Sequence, residues 1–386
     1  MKKTICALLA AVILLTITGC QPPEATVPAT TELQIPENDL FSGPALSVSV
    51  PITTDTYLAD DNAVLLEYSH QHIRLTLPNQ AVADRITVDF LNRIDSNHQN
   101  VEALLEMAKS VYTAGSNWIP YQYEISYSPT RIDQGILSLF GTTVSYTGGL
   151  HPDRIMVAAN YDMLTGEALT LGSILTHVDK KDTLCRNVID ALSDSDYLYS
   201  LYEGYEEIIY ERFNQDESVD EDFYFTHTGL CFYFAPYEIA PYASGLITAE
   251  IPYEKLTGII DDAFFPPETN LSCGTLKAQI GTPSFEHISE LIIDHDCTEI
   301  YLSADTAIYD VKIEVGTWSE DGLYFTPQQT LFATTGIGPN DAILLQTKIP
   351  DVLPNLLVSY HTPQGDVSYY ISQSGENGEI LLINAE

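Results

Sequence analysis

Basic side chains are scarce in this chain. Sixteen Lys and Arg face 54 Asp and Glu, a formal charge of −38 over 386 residues. A surface of that sign repels nucleic acid and anionic lipid headgroups, so no nucleic-acid partner is expected. It attracts cationic proteins, and it serves plain solubility equally well. Charged residues make up only 18%, against 45% hydrophobic, which excludes a chain that is disordered by composition. Catalytic signatures are missing too. The sequence has no G-x-S-x-G elbow, no H-E-x-x-H, no phosphate loop and no C-x-x-C. No catalytic residue, cofactor or resident metal is therefore expected. Carboxylate pairs are abundant only because Asp and Glu are abundant.

What is present begins with a targeting segment. Lys2 and Lys3 precede an apolar run over 5–17, and Ile17-Thr18-Gly19-Cys20 has the form of a bacterial lipobox. Residues 1–20 thus read as a lipoprotein signal peptide, with Cys20 taking the lipid and the membrane as partner through that anchor. The competing reading is an uncleaved membrane helix, but the run is shorter than the ~20 residues that span a bilayer. No later segment is long and apolar enough to span, so the chain is not expected to signal across the membrane alone. Cleavage would remove Lys2 and Lys3 and make the mature chain more acidic still. Residues 21–47, rich in Pro, Thr and Glu, read as a flexible tether.

Six cysteines are present. Cys6 leaves with the signal and Cys20 is lipidated. Cys185, Cys231, Cys273 and Cys297 remain, and three pairings are open to them. A bridge between Cys273 and Cys297 is the one expected here, stabilising by roughly 3 kcal/mol on the chain-entropy estimate.

Periodicity divides the rest. Val82, Ile86, Phe90 and Ile94 recur at helical spacing, and Val101 to Val111 continues it after a break near Asn97. Tyr121, Tyr123, Ile125 and Tyr127 alternate with polar residues, as in a half-buried strand. Leu184 to Leu192 predicts a helix, and Leu198 to Phe213 a second, continuous one. An acidic loop covers 216–222. Residues 223–234 read as a hairpin turning at His227-Thr228-Gly229, 246–251 as a strand and 253–260 as a closing helix. From Asn270 onward, seven short strand candidates separated by turn signals predict a small β-sandwich. The expected bodies are 48–168, 169–265 and 270–386. The expected fold class is α+β: an antiparallel sheet with packed helices, followed by a small C-terminal β-sandwich domain.

The stretch 145–175 organises this pattern. It reads SYTGGLHPDRIMVAANYDMLTGEALTLGSIL: a Gly-rich turn, a strand, a Thr165-Gly166 turn and an apolar run. Tyr146, Gly148, Gly149, His151, Asn160, Tyr161, Asp162, Thr165, Gly166, Leu169 and Leu171 resemble the signature of an extracellular domain family. A second match is FYFTHTGLCFYFAPYEIAPYASGLITAEIPYEKL over 223–256. Those domains form the outer part of lysozyme-sensing anti-sigma factors and precede the catalytic domain of some peptidoglycan deacetylases. The resemblance covers 50–265, and Leu150 departs from the small residue usual there. It implies a partner such as lysozyme or a peptidoglycan fragment, and a Gram-positive envelope. No Thr-Phe-Asp-Asp-Gly-Pro type of motif begins a deacetylase metal site here.

His151 with Asp153 and Asp162 is one candidate metal group, and a turn holding its own backbone is the simpler reading. His295 beside Asp296 and Cys297 is either a polar loop or a nucleophile site. The candidate binding residues are Tyr146 and His151 in the turn 146–151, with Tyr237 and Tyr242 in the loop 236–242, expected on one face. The alternative is that Tyr237 and Tyr242 are buried corner residues. The sequence thus reads as a lipid-anchored, extracytoplasmic, non-catalytic binding or sensing module. An envelope hydrolase or deacetylase-associated protein with an unrecognised active site is the competing class, and a substrate-binding lipoprotein for a transporter is a third.

Overall fold

The computed structural model describes residues 45–214, 220–268, 272–281, 283–295, 297–350 and 353–385. The signal peptide, Cys20, most of the tether, Gln215 with 216–219 of the acidic loop, and Asp296 lie outside the described residues.

The chain opens with β1 (Ser47–Ser49), β2 (Ile52–Leu58), β3 (Val64–Gln71) and β4 (Arg74–Thr76). Helices α1 (Gln80–Asp95) and α2 (His98–Val111) follow. Asn79 caps α1 by accepting a hydrogen bond from the Ala81 amide at 3.1 Å, which satisfies one of the orphan donors at a helix start. Val82, Ile86, Phe90 and Ile94 are all buried, as their spacing predicts. The break at Asn97 has a local cause. Ser96 and Asn97 side chains both donate to the Arg93 carbonyl, at 2.8 and 2.9 Å, and end the helix.

Next come β5 (Tyr121–Ile132), β6 (Ile136–Tyr146) and β7 (Asp153–Asp162). With β2 and β3 they form a five-stranded sheet in the order β2-β3-β5-β6-β7. Its pairs are antiparallel except β3 with β5, which the α1–α2 crossover makes parallel. The two helices cover one face, burying Phe90, Ile94 and Val101 against Tyr123, Tyr127 and Tyr161.

The middle of the chain holds α3 (Leu171–Ile174), α4 (Lys181–Ser193), α5 (Tyr205–Asn214), β8 (Phe223–Phe225), β9 (Gly229–Phe234), β10 (Ile247–Pro252) and α6 (Tyr253–Leu256). Strands β10-β9-β8 make a three-stranded antiparallel sheet against which α4 and α5 pack. The continuous helix expected from Leu198 to Phe213 does not form. A 3-10 turn over Asp196–Ser200 gives way to extended backbone at Leu201, and α5 starts only after Gly204, whose φ is +83°. Periodicity survived the break because both pieces face the same core. The closing helix is likewise shorter than expected, a single turn.

The C-terminal region is all strand: β11 (Leu276–Ile280), β12 (His287–Ile292), β13 (Glu299–Ala304), β14 (Ile308–Trp318), β15 (Phe325–Ile337), β16 (Asp341–Gln346), β17 (Leu356–Thr362), β18 (Gly365–Gln373) and β19 (Ile380–Asn384). A seven-stranded sheet, β19-β18-β17-β14-β15-β1-β4, faces a four-stranded one, β11-β13-β16-β12, across one core that includes Phe332, Ile343 and Val358. This is the sandwich that the turn spacing predicts, with one addition. Strands β1 and β4 come from the front of the chain, and Val48 lies between Ala333 and Leu75. The module expected over 270–386 is thus completed by strands from outside those bounds.

Candidate functional site

The turn between β6 and β7 projects from the sheet end. Gly148 sits at φ +89°, in the left-handed region that glycine enters without strain. Leu150 is fully exposed and His151 is exposed beside it. The loop between β9 and β10 is anchored from below by Ile239 and Ala240, both buried. The Ile239 carbonyl accepts the Tyr202 amide at 2.8 Å. Glu238 accepts the Ala235 amide and an Arg212 guanidinium proton, each at 2.8 Å. With the loop held this way, Tyr237 adopts φ +70° and stays 60% exposed. A bulky residue at positive φ is costly, of order 1–3 kcal/mol, and such strain gathers at binding surfaces.

The two loops meet. The His151 and Tyr242 rings stack at 4.4 Å between centroids with 25° between planes. Tyr237 lies 5.6 Å from Tyr242 at 32°. The Tyr242 hydroxyl donates to the Pro152 carbonyl at 3.4 Å. Three rings therefore form one ledge, with Tyr242 half-buried in the middle and Tyr237 and His151 open to solvent. Tyr146, at the end of β6 opposite Gln122, is half-buried and has no ring contact with the ledge. The ledge offers flat π faces to sugar rings or to cations, and it loses little rotamer entropy on contact.

The other candidates disperse. Asp162 turns away from His151 and accepts the Leu164 and Thr165 amides, at 2.7 and 3.3 Å, closing the turn after β7. Among the described residues no group of three or more His, Cys, Asp or Glu converges as a metal site. His295 is exposed, and its carbonyl accepts from Gln346 at 2.7 Å. Cys273 is exposed and Cys297 half-buried, whereas Cys185 and Cys231 are buried, each thiol pushed up to about 11 by burial.

One cluster escaped the sequence reading. Arg131 is fully buried. Its Nε donates to Asp133 at 2.5 Å, and Nη1 donates to the Tyr253 hydroxyl at 2.5 Å and the Phe264 carbonyl at 2.8 Å. The guanidinium lies over the Phe225 and Tyr253 rings, at 5.7 and 5.6 Å. Asp133 also accepts the Gly135 and Ile136 amides, so this pair is fastened on both sides. Nη2 has no hydrogen-bond partner among the described residues, and Arg131 lines a cavity of about 10 Å³, room for one water. His227 and Asp310 line the same cavity. Desolvation pushes the half-buried Asp310 carboxyl up. The cluster ties the end of β5 to α6 and Phe264 and, through the Tyr253 hydroxyl donating to the Thr226 carbonyl, to the β8–β9 turn. Its signal in the sequence was an arginine on the inward-facing series 121, 123, 125, 127, 131, with an aspartate two residues on.

Residues 175–254 match the model of a family described as Protein of unknown function (DUF3298). That span runs from the end of α3 into α6 and contains the ledge loop, Tyr237, Tyr242 and Tyr253. It overlaps the second part of the stretch that carries the resemblance. Solved structures of the same family are similar. A member of the DUF3298 family from Bacteroides fragilis shares 17% identity over 57% of this chain and 95% of its own, with a TM-score of 0.41. A DUF3298 family protein from Pseudomonas aeruginosa shares 15% over 58% of this chain and 99% of its own, with a TM-score of 0.38. No curated protein matches the chain.

Proposed function

We propose that this chain is a cell-surface lipoprotein, anchored through Cys20, that acts as a non-catalytic binding or sensing module at the cell envelope. The observation that carries the reading is the ledge of His151, Tyr242 and Tyr237. It is built from two turns far apart in sequence, one of them held in a strained backbone, and it exposes aromatic area where a purely structural corner would bury it. Its ligand is a cationic protein such as lysozyme or a peptidoglycan fragment. Sugar rings stack on such faces, and basic side chains sit over them. The acidic surface would speed encounter with a cationic partner, at a rate that falls with salt. The deciding experiment is a pull-down of the lipid-free chain against lysozyme and muropeptides. Salt-sensitive capture of either supports the reading. Capture of neither, or turnover of peptidoglycan that a single His or Asp substitution abolishes, refutes it. Intact mass of membrane-extracted protein tests the anchor, which requires acyl chains on an N-terminal Cys20.

A further inference from the structure

We propose that the outer edge of β7 is a docking site for an extended, cationic polypeptide segment, which adds to the five-stranded sheet as a sixth strand. The proposal rests on the binding reading above and supplies a partner chemistry and a mode of engagement.

Strand β7 is an edge, paired among the described residues with β6 alone apart from a bridge of Tyr161 to Ala168. Which of its backbone groups face outward follows from its far end. The Asn160 carbonyl accepts the Leu169 amide at 2.7 Å and the Asp162 amide donates to Glu167 at 2.9 Å, both on the side away from β6. Alternate residues share a direction, so Arg154, Met156 and Ala158 also point their N–H and C=O outward. None of these groups has a backbone partner among the described residues. The chain thus covers its own edge at Asn160 and Asp162, while from Ala158 back to Asp153 the outward groups have no backbone partner among the described residues; Asp153, Arg154 and Ile155 are exposed there, and Met156 and Ala158 are buried at the mouth of a cavity.

Among the described residues the protection of this length stands at its start, in Pro152, Asp153 and Arg154. Natural edges are blunted by lysine, proline or a bulge. Residues 155–158 read Ile-Met-Val-Ala, the pairing with β6 runs without a register shift, and Ile155 is 64% exposed.

A cavity opens on the same edge. About 280 Å³ is lined by Met156, Val157 and Ala158 from β7, by Tyr127 and Tyr233, and by Arg93 with Glu221 and Asp222. An added strand would send alternate side chains toward it. The charge around it is unbalanced. Arg93 pairs with both Asp89 and Glu221, and Arg212 with both Asp222 and Glu238, so four carboxylates share two guanidinium groups. A lysine or arginine fits that excess, its stem on the tyrosines and its head at the acids. At the opposite end, Pro152 is bonded to Tyr242 of the ledge. A segment lying on 152–158 would span about 20 Å from ledge to cavity. The net charge of −38 disfavours a second copy of this chain in that place.

The test uses the lipid-free chain and a synthetic octapeptide alternating Lys and Val, with a Glu–Val octapeptide as control. Hydrogen exchange is followed amide by amide. The Lys–Val peptide should bind with an affinity that falls with salt, and should slow exchange at Arg154, Met156 and Ala158 by about ten-fold or more. The Glu–Val peptide should do neither. Arg154→Pro removes one outward N–H at an edge position where proline is tolerated, and should weaken peptide binding by about ten-fold, while Arg154→Ala should not. The proposal is overturned by binding that leaves those amides unchanged, by equal binding of both peptides, or by no binding at millimolar peptide. It is also overturned by a dimer in which β7 is already protected. Failure here with lysozyme or muropeptide capture intact removes the edge and leaves the ledge; loss of that capture removes the binding reading itself.

Discussion

The His151 imidazole and the Tyr242 phenol stack at 4.4 Å, and the Tyr242 hydroxyl closes onto the neighbouring Pro152 carbonyl. This contact joins the five-stranded sheet, through its β6–β7 turn, to the three-stranded sheet, through its β9–β10 loop. It fixes the loop while leaving Tyr237 outside, so the ledge is ordered before any partner arrives and the ordering cost of binding falls.

The Arg131 cluster should dominate stability at the junction of the sheets. Arg131→Ala leaves Asp133 buried without its cation and strips Tyr253 and Phe264 of a donor. The expected loss is about 3–5 kcal/mol, the usual consequence of breaking a buried pair from one side. Denaturant unfolding measures it. A loss under about 1 kcal/mol would mean that the cluster is relaxed by water in solution.

Stability should fall on the alkaline side. Burial pushes the Cys185 and Cys231 thiols up to about 11, and the Tyr68, Tyr127 and Tyr253 hydroxyls up to about 12. Each folded value is raised above the ordinary 9.0 for thiols and 10.0 for phenols. The unfolded chain therefore releases these protons first; the thiol contribution is whole below about pH 9 and lost as pH rises through 11, and the phenol contribution is whole below about pH 10 and lost as pH rises through 12. Urea midpoints measured across that window should decline, less so in Cys231→Ala. A flat profile would contradict the burial of these groups.

The cysteines make a separate prediction. Cys185 and Cys231 should resist alkylation until the chain unfolds, because both are buried. Cys273 and Cys297 are expected to be bridged in exported protein, and non-reducing peptide mapping decides this. Recovery of both as alkylated thiols would remove the bridge.

Much of the fold was legible because single faces were buried. In β5, Tyr121, Tyr123, Ile125 and Tyr127 are inside while Gln122 and Glu124 are exposed, so alternation reported the truth. Strand β15 was hidden for the opposite reason. Leu331, Phe332, Ala333 and Thr334 are all buried, and a strand covered on both faces loses its alternation. The partnership of Val48 with Ala333 leaves no local trace, since a three-residue strand carries too little pattern to name a distant partner. At the site, aromatics in Gly- and Pro-framed turns pointed to His151, Tyr237 and Tyr242. Their stacking belongs to the tertiary structure, as do the positive φ of Tyr237 and the unpaired edge of β7, and none of the three can be read from composition or spacing.

Tyr237 is exposed and makes no hydrogen bond through its side chain among the described residues, so Tyr237→Ala should leave the melting temperature unchanged. Titration calorimetry of the lipid-free chain with lysozyme, and separately with muropeptides, is the most direct measurement. Tyr237→Ala should remove more than about 1 kcal/mol of binding free energy for whichever of the two binds. Undiminished binding by a stably folded Tyr237→Ala protein would contradict it.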